Sequence, residues 1–350
     1  GMTGLLSSGE DLGAKMTTNA EHHRWLDLTV EDALLPELPI CDPHHHFWDR
    51  PNDRYFLDDL YRDLGGGHNV VRTVFIECRS IYRQDGPEEM RSVAETEFVQ
   101  GIVAQNASGQ YGNTDVAAGI VAFADLAIGA EVERVLGAHL ATSDRVRGVR
   151  HITAFDSNSD VPRPRPFPEG LLGDAKFREG FAVLDKLGLS FDAYLYHPQL
   201  HEIADLANAF PGVTMILNHV GGPLGVGPHA GKRDEIFQNW KESMAAVAAS
   251  PNVVVKVGGL VMPVCGFDWH ERTIPTTSRE LAQATAPYYL HCIEQFGPDR
   301  CMFESNFPVD KAACSYTVLW NAFKRLAHGF SASEQAALFH GTAARVYRLS

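Results

Sequence analysis

Short runs of β-branched and aliphatic residues recur along this chain, and between them lie longer stretches whose apolar positions return every three or four residues. The runs read as strands at 39–42, 70–78, 116–124, 146–152, 189–196, 213–218, 253–258 and 301–305. Helical period marks 88–105, 130–141, 174–187, 200–209, 233–249 and 279–296, with a final helical region over 312–347. Nearly unbroken apolar strands alternating with amphipathic helices imply a parallel sheet covered on its faces. Eight such units predict an α/β fold, a closed (β/α)8 TIM barrel. A polar start, expected to be poorly ordered to about residue 22, makes 1–35 an N-terminal extension and 36–350 the barrel.

Composition sets the surroundings. With 350 residues, 45% of them hydrophobic, one large core is within reach, and a single α/β barrel accommodates this length. A formal charge of −14 argues against nucleic acid and anionic membranes as partners, since the long-range field repels polyanions; a local basic pocket for a small acid is compatible with it. The six cysteines form no C-x-x-C pair and sit mostly in apolar runs, as reduced core residues of a cytoplasmic protein would. No apolar run approaches the roughly 18 residues that span a bilayer. The sequence leaves a homo-oligomer open.

A barrel of this kind holds its chemistry at the carboxyl ends of the strands, so residues there are the candidates. The first strand runs into Asp42-Pro43-His44-His45-His46-Phe47-Trp48-Asp49, where alternation sends His44 and His46 to one face and His45 to the other. His197 follows the fifth strand; a hydrogen-bonding loop role before Pro198 is the alternative. His219 leaves the sixth strand into Gly221-Gly222-Pro223 and faces the pocket. On the eighth strand, Glu304 and Asn306 share a face, with Glu304 one layer lower.

Glu77 is a lone charge in an apolar second strand, either a site carboxylate or half of an ion pair with an interior arginine. Arg150, supported by Arg147, offers planar donors for a substrate carboxylate, unless it is the wall arginine that pairs with Glu77 or Glu304. Asp125 fits a helix cap as well as a site. The loop 264–272 after the seventh strand is rich in aromatic and polar residues, so it is expected to cover the pocket, with His270 as a further candidate.

The segment Asp42 to Asp49 resembles the first-strand D-x-H-x-H-x-W-D signature of the amidohydrolase-2 family of the amidohydrolase superfamily. Arg147-Gly148-Val149-Arg150, Leu189-Ser190-Phe191-Asp192 with Pro198-Gln199-Leu200, and Leu217-Asn218-His219 with Gly222-Pro223 extend the likeness, most to the sugar-acid lactonase and 2-pyrone-4,6-dicarboxylate lactonase branch. It covers about residues 36 to 348. The resemblance implies hydrolysis of a lactone, or a related cyclic ester or amide of a small carboxylic acid, by water attack on a carbonyl. It also implies a divalent metal, zinc first, on His44, His46 and His219, with a metal-independent mechanism as the alternative. The rival readings are a metal-dependent aromatic-acid decarboxylase and a catalytically altered ligand-binding barrel.

The chain departs from the family pattern on the eighth strand. Where G-S-D-W-P is usual, it has Glu304-Ser305-Asn306-Phe307-Pro308, and an amide cannot take a proton from water near neutral pH. Glu304, and after it Glu77, are the candidates for the displaced base; Asn306 would bind water or substrate.

Overall fold

A computed structural model describes residues 19–350. Eight strands pair in chain order, all parallel: β1 (Pro39–His45), β2 (Asn69–Ile76), β3 (Asp115–Ala122), β4 (Val146–Ile152), β5 (Ser190–Tyr194), β6 (Met215–Leu217), β7 (Val253–Val257) and β8 (Cys301–Phe303). The seam between β8 and β1 is narrow. There His45 bridges Phe307, the His46 amide donates to the Phe307 carbonyl (2.9 Å) and the Asn306 amide to the His44 carbonyl (2.9 Å). Asp42 reinforces it, accepting from the Ser305 amide (3.1 Å) and the Tyr316 hydroxyl (2.9 Å). The expected (β/α)8 barrel is therefore present, with its closure made at the mouth.

Two of the covering helices start at side-chain caps. Asp174 caps Ala175–Leu187 by accepting from the Phe177 amide, and Thr277 caps Ser278–Phe296 in the same way. Their apolar faces join the outer strand faces in one large core, each buried Leu or Phe contributing about 1.5–3 kcal/mol. A second core fills the barrel's interior below the mouth. Cys41, Val74, Val121, Ile216, Val254 and Met302 meet Val346 and Tyr347 of the C-terminal segment, which plugs the lower end.

Several boundaries differ from the expectation. Strands β2, β3, β5, β6 and β8 stop one or two residues early at the mouth, and the residues just past β2, β6 and β8 include Glu77, Asn218 and Glu304. The region 312–347 is not one helix but Tyr316–Leu326, Ala332–Ala336 and Thr342–Val346, the last two joined by a wider π turn. Two elements were not anticipated: a hairpin of Trp48–Arg50 with Asp53–Tyr55, and the helix Leu57–Leu64. The poorly ordered start lies mostly outside the described residues, but 19–22 belong to a helix, Asn19–Leu26. It packs on the loops after β7 and β8 through Trp25 Nε1 to the Arg272 carbonyl (2.9 Å) and His22 Nε2 to the Lys311 carbonyl (2.6 Å). All six cysteines are buried and unpaired, and among the described residues no helix is long and apolar enough to cross a membrane.

Candidate active site

β1 delivers the histidines. Its pairing with β2 shifts register between Asp42 and His45, an irregularity of the sort that re-aims side chains at barrel rims. His44 and His46 are fully buried with their rings edge to face, centroids 5.1 Å apart. His45 points away and bonds Thr73 Oγ1 at 2.8 Å through Nε2, a structural role. His46 Nδ1 lies 2.8 Å from the Ile76 carbonyl oxygen, which can only accept, so the proton sits on Nδ1 and Nε2 keeps its lone pair.

His219 stands opposite, its ring centroid 4.7 Å from that of His44. Its Nδ1 makes a short hydrogen bond to Glu304 Oε1, both side chains fully buried. A carboxylate holding Nδ1–H makes Nε2 the basic nitrogen and stabilises the ring when it gains a proton. The backbone is bent to present this pair: His219 and Val220 have φ of 54° and 47°, left-handed values that cost non-glycine residues roughly 1–2 kcal/mol each. Two glycines after β7 make room. A Cβ on Gly258 would lie 2.4 Å from Glu304 Cγ, and one on Gly259 would lie 2.6 Å from His219 Cβ.

Beneath the histidines runs a buried charged layer. Lys256 of β7 donates to the Pro43 carbonyl (2.9 Å), His44 Nδ1 (3.0 Å) and Asp192 Oδ2 of β5 (2.8 Å). Asp192 also accepts from Asn218 Nδ2 (2.8 Å) and the Tyr347 hydroxyl (2.8 Å). Beside it Arg150 donates from Nε to Glu77 Oε1 (3.0 Å) and from Nη2 to the Glu77 carbonyl (2.7 Å). Burial raises the Glu77 pKa, but Arg150 and Arg165 outweigh it and hold the carboxyl below its usual range.

The expected residues thus separate. His44, His46, His219 and Glu304 come together. Glu77 and Arg150 form the interior ion pair that was their structural alternative, which removes Glu77 as a water-activating base and commits Arg150 to a carboxylate of its own chain. Arg147, second residue of β4, lies at the amino end of its strand, where its Nη1 donates to the Asp144 carbonyl (2.6 Å), and it cannot orient a substrate at the mouth. His197 takes the loop role: its Nδ1 accepts from the Leu224 amide (3.1 Å), and burial lowers its pKa to about 4. Asp125 is a cap, accepting from the Ala127 amide. In the loop after β7, Trp269 is buried beneath the Arg272 guanidinium, and His270 Nε2 is 3.8 Å from Glu271.

Asn306 also has a φ in the left-handed region, 53°. Its Nδ2 donates to Asp310 Oδ1 at 2.8 Å, which accounts for the departure from the family pattern: an aspartate here would face a second buried carboxylate. Lys256, Asp192, Asp310 and Arg165 are the residues the sequence reading passed over. Lys256 and Asp192 had left a signal, a lone charge inside an apolar strand.

Buried polar atoms without a hydrogen-bond partner among the described residues include His44 Nε2, Glu304 Oε2, Asn306 Oδ1 and Trp48 Nε1. Such atoms are costly to bury and mark where a ligand is expected. His44, His219 and Glu304 bring one donor atom each within 4.8 Å, a cluster that suggests a divalent ion. The hydrogen bonding of His44 does not fit that role: its Nδ1 faces an ammonium, whereas metal-bound imidazoles turn Nδ1–H to a carbonyl or carboxylate.

This (β/α)8 barrel, with paired imidazoles and a carboxylate at its strand ends, is that of a hydrolase. The chain belongs to the amidohydrolase family, whose model matches residues 41–349. It is 31% identical over 334 residues to the uncharacterized protein y4mH of Sinorhizobium fredii, covering 90% of this chain and 100% of that one. It is 27% identical to the L-fucono-1,5-lactonase of Burkholderia multivorans, over 88% of this chain and 95% of that one. Among solved structures, an amidohydrolase of Burkholderia multivorans with bound zinc superposes with a TM-score of 0.68 at 25% identity, covering 89% of this chain and 99% of the other.

Proposed function

We propose that this protein opens a lactone, or a related cyclic ester or amide, of a small carboxylic acid. The observation that carries the reading is the buried His219–Glu304 pair set against His44 at the strand ends. Water attacks the ring carbonyl carbon while His219 Nε2 takes its proton, and Glu304 steadies the imidazolium that results. The carbonyl oxygen gains negative charge and is met by the N–H of His44. As the tetrahedral adduct collapses, the bond to the ring oxygen or nitrogen breaks, and His219 returns the proton to that atom. The product is the open hydroxy or amino acid. Glu304 therefore acts through His219 rather than on water directly, and Asn306 Oδ1 accepts from water or a substrate hydroxyl.

Arg165 supports the acid part of the proposal. It is buried, its Nη2 lies 3.7 Å from Glu77 Oε2, and that nitrogen makes no hydrogen bond among the described residues. This leaves donor capacity for a substrate carboxylate, which Arg150 has already given to Glu77. The lactonase names of the relatives, L-fucono-1,5-lactonase and the L-rhamnono-gamma-lactonase of Scheffersomyces stipitis, favour lactones first. A panel of sugar-acid lactones and pyrone carboxylates, followed by acid release, should contain a substrate. Acid release from none of them, with carbon dioxide released from benzoate-type acids instead, would replace this reading with the decarboxylase.

A further inference from the structure

We infer that Lys256 is a positioning residue that fixes His44 as the Nε2–H tautomer, which makes His44 a hydrogen-bond donor and bars it from ligating a metal ion. An ammonium has three donors and no acceptor. Here the three point at the Pro43 carbonyl, His44 Nδ1 and Asp192 Oδ2, at 2.8 to 3.0 Å, with both charged side chains fully buried. Asp192 is in turn held by Asn218 and Tyr347, so the ion pair that keeps Lys256 charged is fully hydrogen-bonded.

His44 Nδ1 must then accept, and a neutral imidazole that accepts at one nitrogen carries its proton on the other. That other nitrogen, Nε2, is buried and has no partner among the described residues. An N–H there supplies what a developing oxyanion needs, and it supplies no lone pair to a cation. To ligate through Nε2, His44 would have to move its proton to Nδ1 and Lys256 would have to surrender one. His46 has the opposite arrangement, with Nδ1–H given to the Ile76 carbonyl. The two first-strand histidines are thus held in opposite tautomers, one donor and one acceptor.

The inference concerns the site of the lactonase proposal, but its test needs no substrate, so a failed lactone screen leaves it standing. Protein labelled with 15N-histidine, with His44 assigned by difference against His44→Gln, should show His44 protonated at Nε2 alone. Zinc chloride titrated into the apo protein should bind at least about tenfold more weakly than into the Lys256→Met/Asp192→Asn variant, where the ammonium and its counter-charge leave together; that factor corresponds to about 1.4 kcal/mol. Loss of the pure Nε2–H signature in the variant completes the expected result. A wild-type His44 protonated at Nδ1 overturns the inference, and so does equal zinc affinity in wild type and variant. The wild-type spectrum decides the matter even if the variant does not fold.

Discussion

At the residue scale, the chemistry turns on which nitrogen of each histidine carries a proton. Sequence spacing can bring His44, His46 and His219 together but cannot show this, because it depends on partners distant in the chain: Lys256 for His44, Ile76 for His46, Glu304 for His219. Asn306 illustrates the same dependence. Restoring the familiar acid by Asn306→Asp would set two carboxylates about one hydrogen-bond length apart, and one would have to stay protonated. The variant should melt at a lower temperature than wild type at pH 7, with no gain in activity, and Asn306→Asp/Asp310→Asn should recover the lost stability. A single variant as stable as wild type would show that Asp310 does not determine the residue at 306.

At the scale of elements, the ends of β6, β7 and β8 build the proton-accepting half of the site. Gly258→Ala should push Glu304 out of line and lower kcat about a hundredfold, as misplacements near 1 Å do, while circular dichroism stays that of the folded barrel. Unchanged kcat would mean that Glu304 tolerates displacement. Between helices, His139 of Val132–Thr142 bonds Thr96 (2.7 Å) and Ser92 (3.2 Å) of the neighbouring crossover, and burial lowers its pKa to about 4. Between that value and 6.5 the unfolded chain binds the proton that the folded one refuses. The histidine's contribution, about 3 kcal/mol, is therefore present above pH 6.5 and lost as pH falls toward 4. Thermal melts across this window should fall less steeply for His139→Gln than for wild type; parallel slopes would refute the assignment. The eight barrel strands were legible in the sequence because buried parallel strands are written as apolar runs, whereas the short hairpin after β1 was not. Several mouth-side boundaries were not legible either, since residues such as Glu77, Asn218 and Glu304 leave the ladder for partners on other strands.

At the scale of the whole molecule, the barrel holds an apolar lower core, a charged middle layer and a histidine-lined mouth, tied together by groups from both chain ends. Tyr347 rises from the C-terminal plug to Asp192, and Trp25 and His22 bind the N-terminal helix to the loops at the mouth. Neither contact has a local signature, because the partners lie 155 to 289 residues apart. Tyr347→Phe should destabilise the protein by about 1–2 kcal/mol in urea unfolding, since a buried carboxylate loses one of its donors. No change would show that the plug does not support the charged layer. The barrel itself was legible from eight alternations, and the first-strand histidines from their spacing. Of the interior ion pairs, Glu77–Arg150 was legible as an alternative to a substrate site, whereas Lys256 and Asp192 were legible only as isolated charges.

The central claim is that His219, held by Glu304, accepts the proton of the attacking water. The measurement that tests it most directly is kcat and KM of His219→Gln on the first lactone that the wild-type protein opens, with folding confirmed by its melting curve. The account predicts kcat lower by about 10²–10⁴ with KM little changed. A folded His219→Gln protein with wild-type kcat would contradict it.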